Sequence, residues 1–178
     1  MTLGDILNKD QIIPEMKATS RWEAIDELIG LLVQQGKIKP EHRESVTAVV
    51  KKRETSMSTG IGYGVGIPHA STDLISEVVG AFGRSKPGMN FDALDNQPVK
   101  LVMLFLVPHG QFQKHLHTLA NIAKLLHNGE FRKSLEAAPG GTGCSEPTRI
   151  PIAIARSSDA PPLRRSAGAR LTVIRRGG

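Results

Sequence analysis

Ser58-Thr59-Gly60-Ile61-Gly62-Tyr63-Gly64-Val65-Gly66-Ile67-Pro68-His69 is the stretch from which the fold and the chemistry of this chain are read. Glycines stand at alternate positions from Gly60 to Gly66, and an apolar residue, a proline and a histidine follow. Glycine admits φ > 0 and lets a backbone approach another surface closely. Proline fixes its own φ and drives Ile67 towards an extended conformation. The segment therefore predicts a stiff mount that presents the His69 imidazole beside a backbone with few side chains in the way. Such a histidine suits a meeting with a large partner.

On the N-terminal side, residues 20–36 predict an amphipathic helix. Ser20 and Glu23 have capping-box spacing, Ala24, Ile25, Leu28, Ile29 and Leu32 recur at helical period, and Gly36 ends the run. A second helix is expected from Pro40, with a stripe of Val46, Val49 and Val50 and a basic end at Lys51, Lys52 and Arg53. On the C-terminal side, Val78 to Arg84 and the apolar run Val99 to Val107 predict strands. Lys86-Pro87-Gly88 and Asp95-Asn96-Gln97-Pro98 between them are read as turns. His115 to Leu126 and Phe131 to Ala138 predict two further helices. Helices alternating with strands in one unit imply an α/β fold, a single domain over residues 1–138 followed by an irregular tail.

The 178 residues suffice for one domain and an appendage, and 39% hydrophobic with 22% charged residues supports an ordinary core. The net charge of +6 belongs to the end of the chain. Residues 1–138 are nearly balanced, whereas residues 139–178 carry seven arginines, no lysine, and only Glu146 and Asp159 as acids. Specific nucleic-acid binding by the folded part is not implied. The tail is rich in Arg, Gly and Pro, which predicts disorder or a segment translated out of frame. Cys144 is the sole cysteine, so no intramolecular disulfide is expected. The N-terminus lacks a signal-peptide pattern and no apolar run reaches membrane-spanning length, so a cytoplasmic location without an integral membrane segment is expected.

A neutral imidazole is a competent nucleophile near pH 7. A phosphoryl group placed on His69 needs cations and donors around its charge. Arg53 lies just upstream of the glycine segment and His115 opens a helix past the buried strand, so both are candidates to support it. Ser58, Thr59 and the glycine amides are further candidate donors in a phosphate nest.

The segment Arg53-Glu54 with Thr59 to Ala70 resembles the active-site signature of type-2 enzyme IIA domains of the bacterial phosphoenolpyruvate-dependent phosphotransferase system. That group comprises the fructose and mannitol members and a nitrogen-regulatory branch, to which the wording here is closest. Phe91-Asp92-Ala93-Leu94-Asp95-Asn96-Gln97-Pro98-Val99, Leu106-Val107-Pro108 and Lys114-His115-Leu116-His117-Thr118-Leu119 extend the resemblance over about residues 3–138. It implies a mixed sheet flanked by helices and a cytoplasmic phosphotransferase that works through a phosphohistidine without a cofactor. It makes His69 the acceptor from an HPr-type carrier, His115 the supporting histidine and Arg53 a phosphate-proximal arginine. The phosphoryl group then passes to a IIB partner for sugar uptake or serves as a signal to a regulatory target protein. Gly66 departs from the alanine usual in the family. The family's closing helix after the position of Ala138 is replaced by the Gly/Arg/Pro-rich tail.

Two other readings compete. His69 with His115 and His117 could be imagined as zinc ligands. A His-x-His pair shares a face on a strand and not on a helix, however, and no carboxylate stands at ligand spacing, so no metal is expected. Alternatively the arginine tail attracts phosphates or nucleic acid non-specifically, although few aromatic residues are available to stack on bases.

Overall fold

The apolar run beginning at Val99 becomes the central strand of a mixed sheet. The computed structural model describes residues 3–137. Within them the chain runs α1 (Leu3–Ile6), β1 (Ile12–Ile13), α2 (Arg21–Gln34), α3 (Arg43–Ser56), β2 (Gly60–Gly62), β3 (Val65–Gly66), β4 (His69–Thr72), β5 (Val79–Met89), β6 (Val99–Pro108), α4 (Phe112–His127) and α5 (Gly129–Ala137). The six strands among these residues lie in the order β1-β5-β6-β3-β2, with β4 also pairing β6 beyond β3. β5 runs antiparallel to β6, whereas β3 and β4 run parallel to it. The fold is the expected single α/β domain. The tail from residue 139 and Cys144 lie outside the described residues.

Alternation along β6 divides the core into two layers, because successive side chains leave opposite faces of a strand. Val102, Leu104 and Leu106 pack with Ile25, Leu28, Ile29 and Leu32 of α2 and Val46 and Val50 of α3. Leu101, Met103, Phe105 and Val107 pack with α1 and with Ile122, Leu126 and Leu135 of α4 and α5. Both faces of β6 are covered, which explains why the sequence shows a continuous apolar run instead of alternation.

Ser20 caps α2 by accepting the Glu23 N–H at 3.3 Å. The reciprocal half of the box is displaced by one residue. The Glu23 carboxylate takes the Thr19 N–H at 2.8 Å and the Thr19 hydroxyl at 2.9 Å. These bonds hold the Glu23 carboxyl below its usual pKa. The helix expected from Pro40 begins with a 3₁₀ turn over Pro40–His42.

Two expectations need correction. Lys86-Pro87-Gly88 is not a turn but part of β5, where the register against β6 slips between Arg84 and Met89. Pro87 has no N–H to give the ladder and Gly88 takes φ +79°, so the strand is interrupted without reversing. Val49 does not join the α3 core stripe; it is 37% exposed at the rim of the site described below.

Arg84 is buried between layers. Its Nε donates to the Pro14 carbonyl at 2.9 Å, and its Nη1 donates to the carbonyls of Leu135 and Glu136 at 3.0 and 3.1 Å. A cation at the C-terminal end of α5 meets the last helical carbonyls, which lack intrahelical partners. Burial draws its pKa below the ordinary arginine value.

Candidate active site

The glycine-rich segment folds as a short antiparallel hairpin, β2 on β3, and delivers the chain into β4. Gly62, Tyr63 and Gly64 take φ of +92°, +57° and +75° at its tip, a run that glycine makes feasible. The Asp95 carboxylate accepts the Tyr63 N–H at 2.9 Å and braces that tip. Gly66 is needed for space, because a Cβ there would lie 2.9 Å from the Phe91 ring.

His69 is the first residue of β4, in register with Phe105 of β6. The Phe105 N–H donates to the Pro68 carbonyl at 3.0 Å, fixing the peptide that precedes the histidine. Nδ1 of His69 lies 2.8 Å from the Ile67 carbonyl oxygen. A carbonyl can only accept, so the proton of the neutral imidazole sits on Nδ1 and the lone pair on Nε2. The Phe112 ring stacks against the imidazole with centroids 6.1 Å apart and planes 21° apart.

A cavity of about 440 Å³ opens at this imidazole, lined by Lys52, Arg53 and Ser56 of α3, His69, Ser71 and Phe112 among others. Its lining holds two cations and no carboxylate. Half-burial pushes the His69 pKa below its ordinary 6.5; the Ile67 carbonyl opposes that, Arg53 adds to it, and Glu54 opposes it. The net effect keeps the ring neutral at pH 7, which is the nucleophilic form.

The expected site residues divide into groups. Arg53 shares the cavity with His69, and its Nη1 donates to the Met57 carbonyl at 3.1 Å. His115 is half-buried on α4, three residues beyond Phe112 and therefore on the same helix face, but it is not among the residues lining the cavity. Ser58 and Thr59 lie outside the lining too. The Ser58 hydroxyl donates to the Phe91 carbonyl, and the Thr59 hydroxyl to the Glu54 carboxylate at 2.6 Å. Either would reach a phosphoryl group only by leaving its present acceptor. Among the described residues no cluster of three His, Cys, Asp or Glu side chains is placed to hold a metal ion.

Residues 5–141 match the family described as "Phosphoenolpyruvate-dependent sugar phosphotransferase system, EIIA 2". The chain belongs to this family. It is a phosphotransferase component of the EIIA type 2 class, whose chemistry is phosphohistidine transfer. It is 33% identical over 138 residues to the "Nitrogen regulatory protein" of Bradyrhizobium diazoefficiens, covering 78% of this chain and 88% of that one. It is 39% identical over 115 residues to the "PTS system fructose-specific EIIA component" of Haloferax volcanii, covering 64% and 73%. The crystal structure of nitrogen regulatory protein IIA-Ntr from Neisseria meningitidis superposes with a TM-score of 0.71 at 30% identity, over 78% of this chain and 92% of that chain. Among the described residues of this EIIA domain, no helix is long and apolar enough to cross a membrane.

One side chain of the site and one behind it carry no clear signal in the sequence. Phe112 falls before the expected start of its helix, so its stacking on His69 carried no periodic signal. Glu54 was visible beside Arg53, but nothing in the pattern shows that it turns inward to 1% exposure while Arg53 turns out.

Proposed function

We propose that His69 is the phosphoryl acceptor and that Nε2 is the atom that accepts. The observation carrying this reading is the Nδ1–H bond to the Ile67 carbonyl, which leaves the Nε2 lone pair as the nucleophile beside a cavity lined by two cations. Nε2 attacks the phosphorus of a phosphohistidine on an HPr-type carrier. The Nε2–P bond forms as the donor's P–N bond breaks, and the departing imidazole keeps that electron pair. Positive charge develops on the His69 ring during this step, and the Ile67 carbonyl accepts its Nδ1–H throughout. Arg53 and Lys52 stabilise the equatorial oxygens, the main catalytic contribution in phosphoryl transfer.

Onward transfer reverses the sense of the step. A cysteine thiolate of a IIB partner attacks phosphorus, and the His69 ring leaves as the neutral Nδ1–H imidazole. His115, one turn along α4 from Phe112, presents the second imidazole in this reading. In the regulatory alternative the phosphorylated state is itself the output and is read by a target protein. The identities with a nitrogen regulatory protein and with a fructose-specific component support one output each.

Incubation with enzyme I, HPr and labelled phosphoenolpyruvate tests the acceptor role. The parent protein takes up acid-labile phosphate and His69→Ala takes up none; equal labelling of both would refute the assignment. Addition of IIB proteins then separates the outputs, since a transport member is discharged by its IIB and a regulatory member keeps its label.

A further inference from the structure

The imidazole that carries this reading is the end of a longer chain of hydrogen bonds. Its Nδ1–H donates to the Ile67 carbonyl at 2.8 Å. The Ile67 N–H donates to the Thr59 carbonyl at 3.0 Å. Thr59 in turn gives its N–H to Glu54 Oε1 at 2.9 Å and its hydroxyl to Glu54 Oε2 at 2.6 Å. Every link runs donor to acceptor in the same sense, from the ring towards a buried carboxylate. The N–H and carbonyl of Ile67, and those of Thr59, belong to neighbouring peptide planes, so the links act by fixing the backbone between carboxylate and ring.

We propose that Glu54 is a positioning residue for phosphoryl transfer, holding His69 in the Nδ1–H tautomer and at its present angle through Thr59 and Ile67. The inference rests on His69 being the acceptor. Glu54 neither lines the cavity nor hydrogen-bonds the imidazole; beyond the electrostatic pull that raises the His69 pKa, it reaches the ring through the backbone between them. Both carboxylate oxygens are engaged by Thr59, which fixes the exit of α3 into β2 and, with it, the plane of the Thr59 carbonyl. On its far side Glu54 is 3.7 Å from Nη1 of Arg21, whose Nη2 pairs with Asp92 at 3.0 Å. The charges around the relay are therefore Arg21 and Asp92 behind Glu54, and Arg53 in front of it beside the cavity. The effect on the reaction is specific. Phosphorylation at Nε2 places positive charge on the ring, and the Ile67 carbonyl can meet that charge only while Nδ1 faces it.

The test uses the full chain with Glu54→Gln, Thr59→Val and Thr59→Ser. Glutamine keeps the shape of Glu54 but offers one acceptor where Thr59 brings two donors. Valine keeps the shape of Thr59 without its hydroxyl, and serine restores the hydroxyl. Long-range proton–nitrogen spectra of His69, taken at a pH where the ring is neutral, report the tautomer without any phosphoryl donor. The parent shows the Nδ1–H form alone. Glu54→Gln and Thr59→Val move both ring nitrogens towards a tautomer mixture, the ratio of Nδ1–H to Nε2–H falling on the order of fivefold for one ordinary hydrogen bond, and slow phosphorylation in proportion to the Nδ1–H population lost. Thr59→Ser returns both readouts to the parent values. Lowered melting temperatures with unchanged His69 nitrogen shifts would reduce Glu54 to a structural anchor and overturn the inference. A parent protein in the Nε2–H form would overturn it as well. Failure of the acceptor reading shows separately, as label retained in His69→Ala.

Discussion

Gly66→Ala restores the residue that the family resemblance leads one to expect, and it should destabilise this protein. Gly66 lies in β3 with no positive φ, so the backbone itself accepts alanine. Replacing glycine there gains about 0.4–1 kcal/mol from the stiffer unfolded chain. The new Cβ, however, would sit 2.9 Å from two ring atoms of Phe91 and 3.2 Å from a third. Phe91 is fully buried, and its carbonyl also accepts the Ser58 hydroxyl and lies 3.4 Å from Nη1 of Arg21, so the ring has little room to retreat. Overpacking of this kind costs about 1–3 kcal/mol. The net loss is about 1.3 kcal/mol at the middle of these ranges and at most about 2.6, or about 4–6 °C in melting temperature at the middle value for a domain of this size. Thermal and urea unfolding of Gly66→Ala, Phe91→Leu and the double variant measure it. The double variant should be more stable than the sum of the single effects by about 1 kcal/mol, because leucine vacates the volume the methyl needs. A higher melting temperature for Gly66→Ala, or strict additivity, would refute the packing argument.

Arg84→Met should lower stability by about 2–3 kcal/mol in urea unfolding, since charge-assisted bonds to Pro14, Leu135 and Glu136 are lost while the cost of burying the cation is relieved. The His69 pKa is depressed on folding, so the unfolded chain binds the extra proton first. The stability this contributes is full above pH 6.5 and is lost as pH falls through the lower folded value, and His69→Gln should remove that part of the pH dependence. The rate of phosphoryl acceptance should fall with the same midpoint, below 6.5, when followed by labelling across pH. Arg53→Ala should slow acceptance on the order of 100-fold with a melting temperature within about 2 °C of the parent, because the hydrogen bond of its side chain among the described residues is to the Met57 carbonyl alone; an unchanged rate would remove Arg53 from the site.

Much of the fold is legible because the sequence states it locally. The Ser20 cap, the α2 stripe and the unbroken apolar run of β6 each reflect one element meeting one surface. What is not legible depends on partners distant in sequence. β1 and β4 are short and acquire strand character only by pairing with β5 and β6. Lys86-Pro87-Gly88 has turn chemistry, yet β6 holds the strand on either side of it. His69 and Arg53 were readable at the site because a glycine-rich mount and a basic helix end are local features. The inward turn of Glu54 and the stacking of Phe112 were not, since both follow from how α3 and α4 close on the hairpin. Residue type alone makes Ser58 and Thr59 candidate donors, whereas each hydroxyl is engaged by an acceptor that lies far from it in the pattern or turns inward unannounced, Phe91 and Glu54.

By holding Nδ1–H, the Ile67 carbonyl makes Nε2 of His69 the phosphoryl acceptor in the proposed reaction. Phosphorylating the protein labelled with nitrogen-15 in histidine, and reading the phosphorus–nitrogen coupling, tests it directly. One phosphorylated imidazole is expected, His69, with phosphorus bonded to Nε2 and the proton still on Nδ1. Phosphorus on Nδ1 of His69, or on another of the histidines, would contradict it.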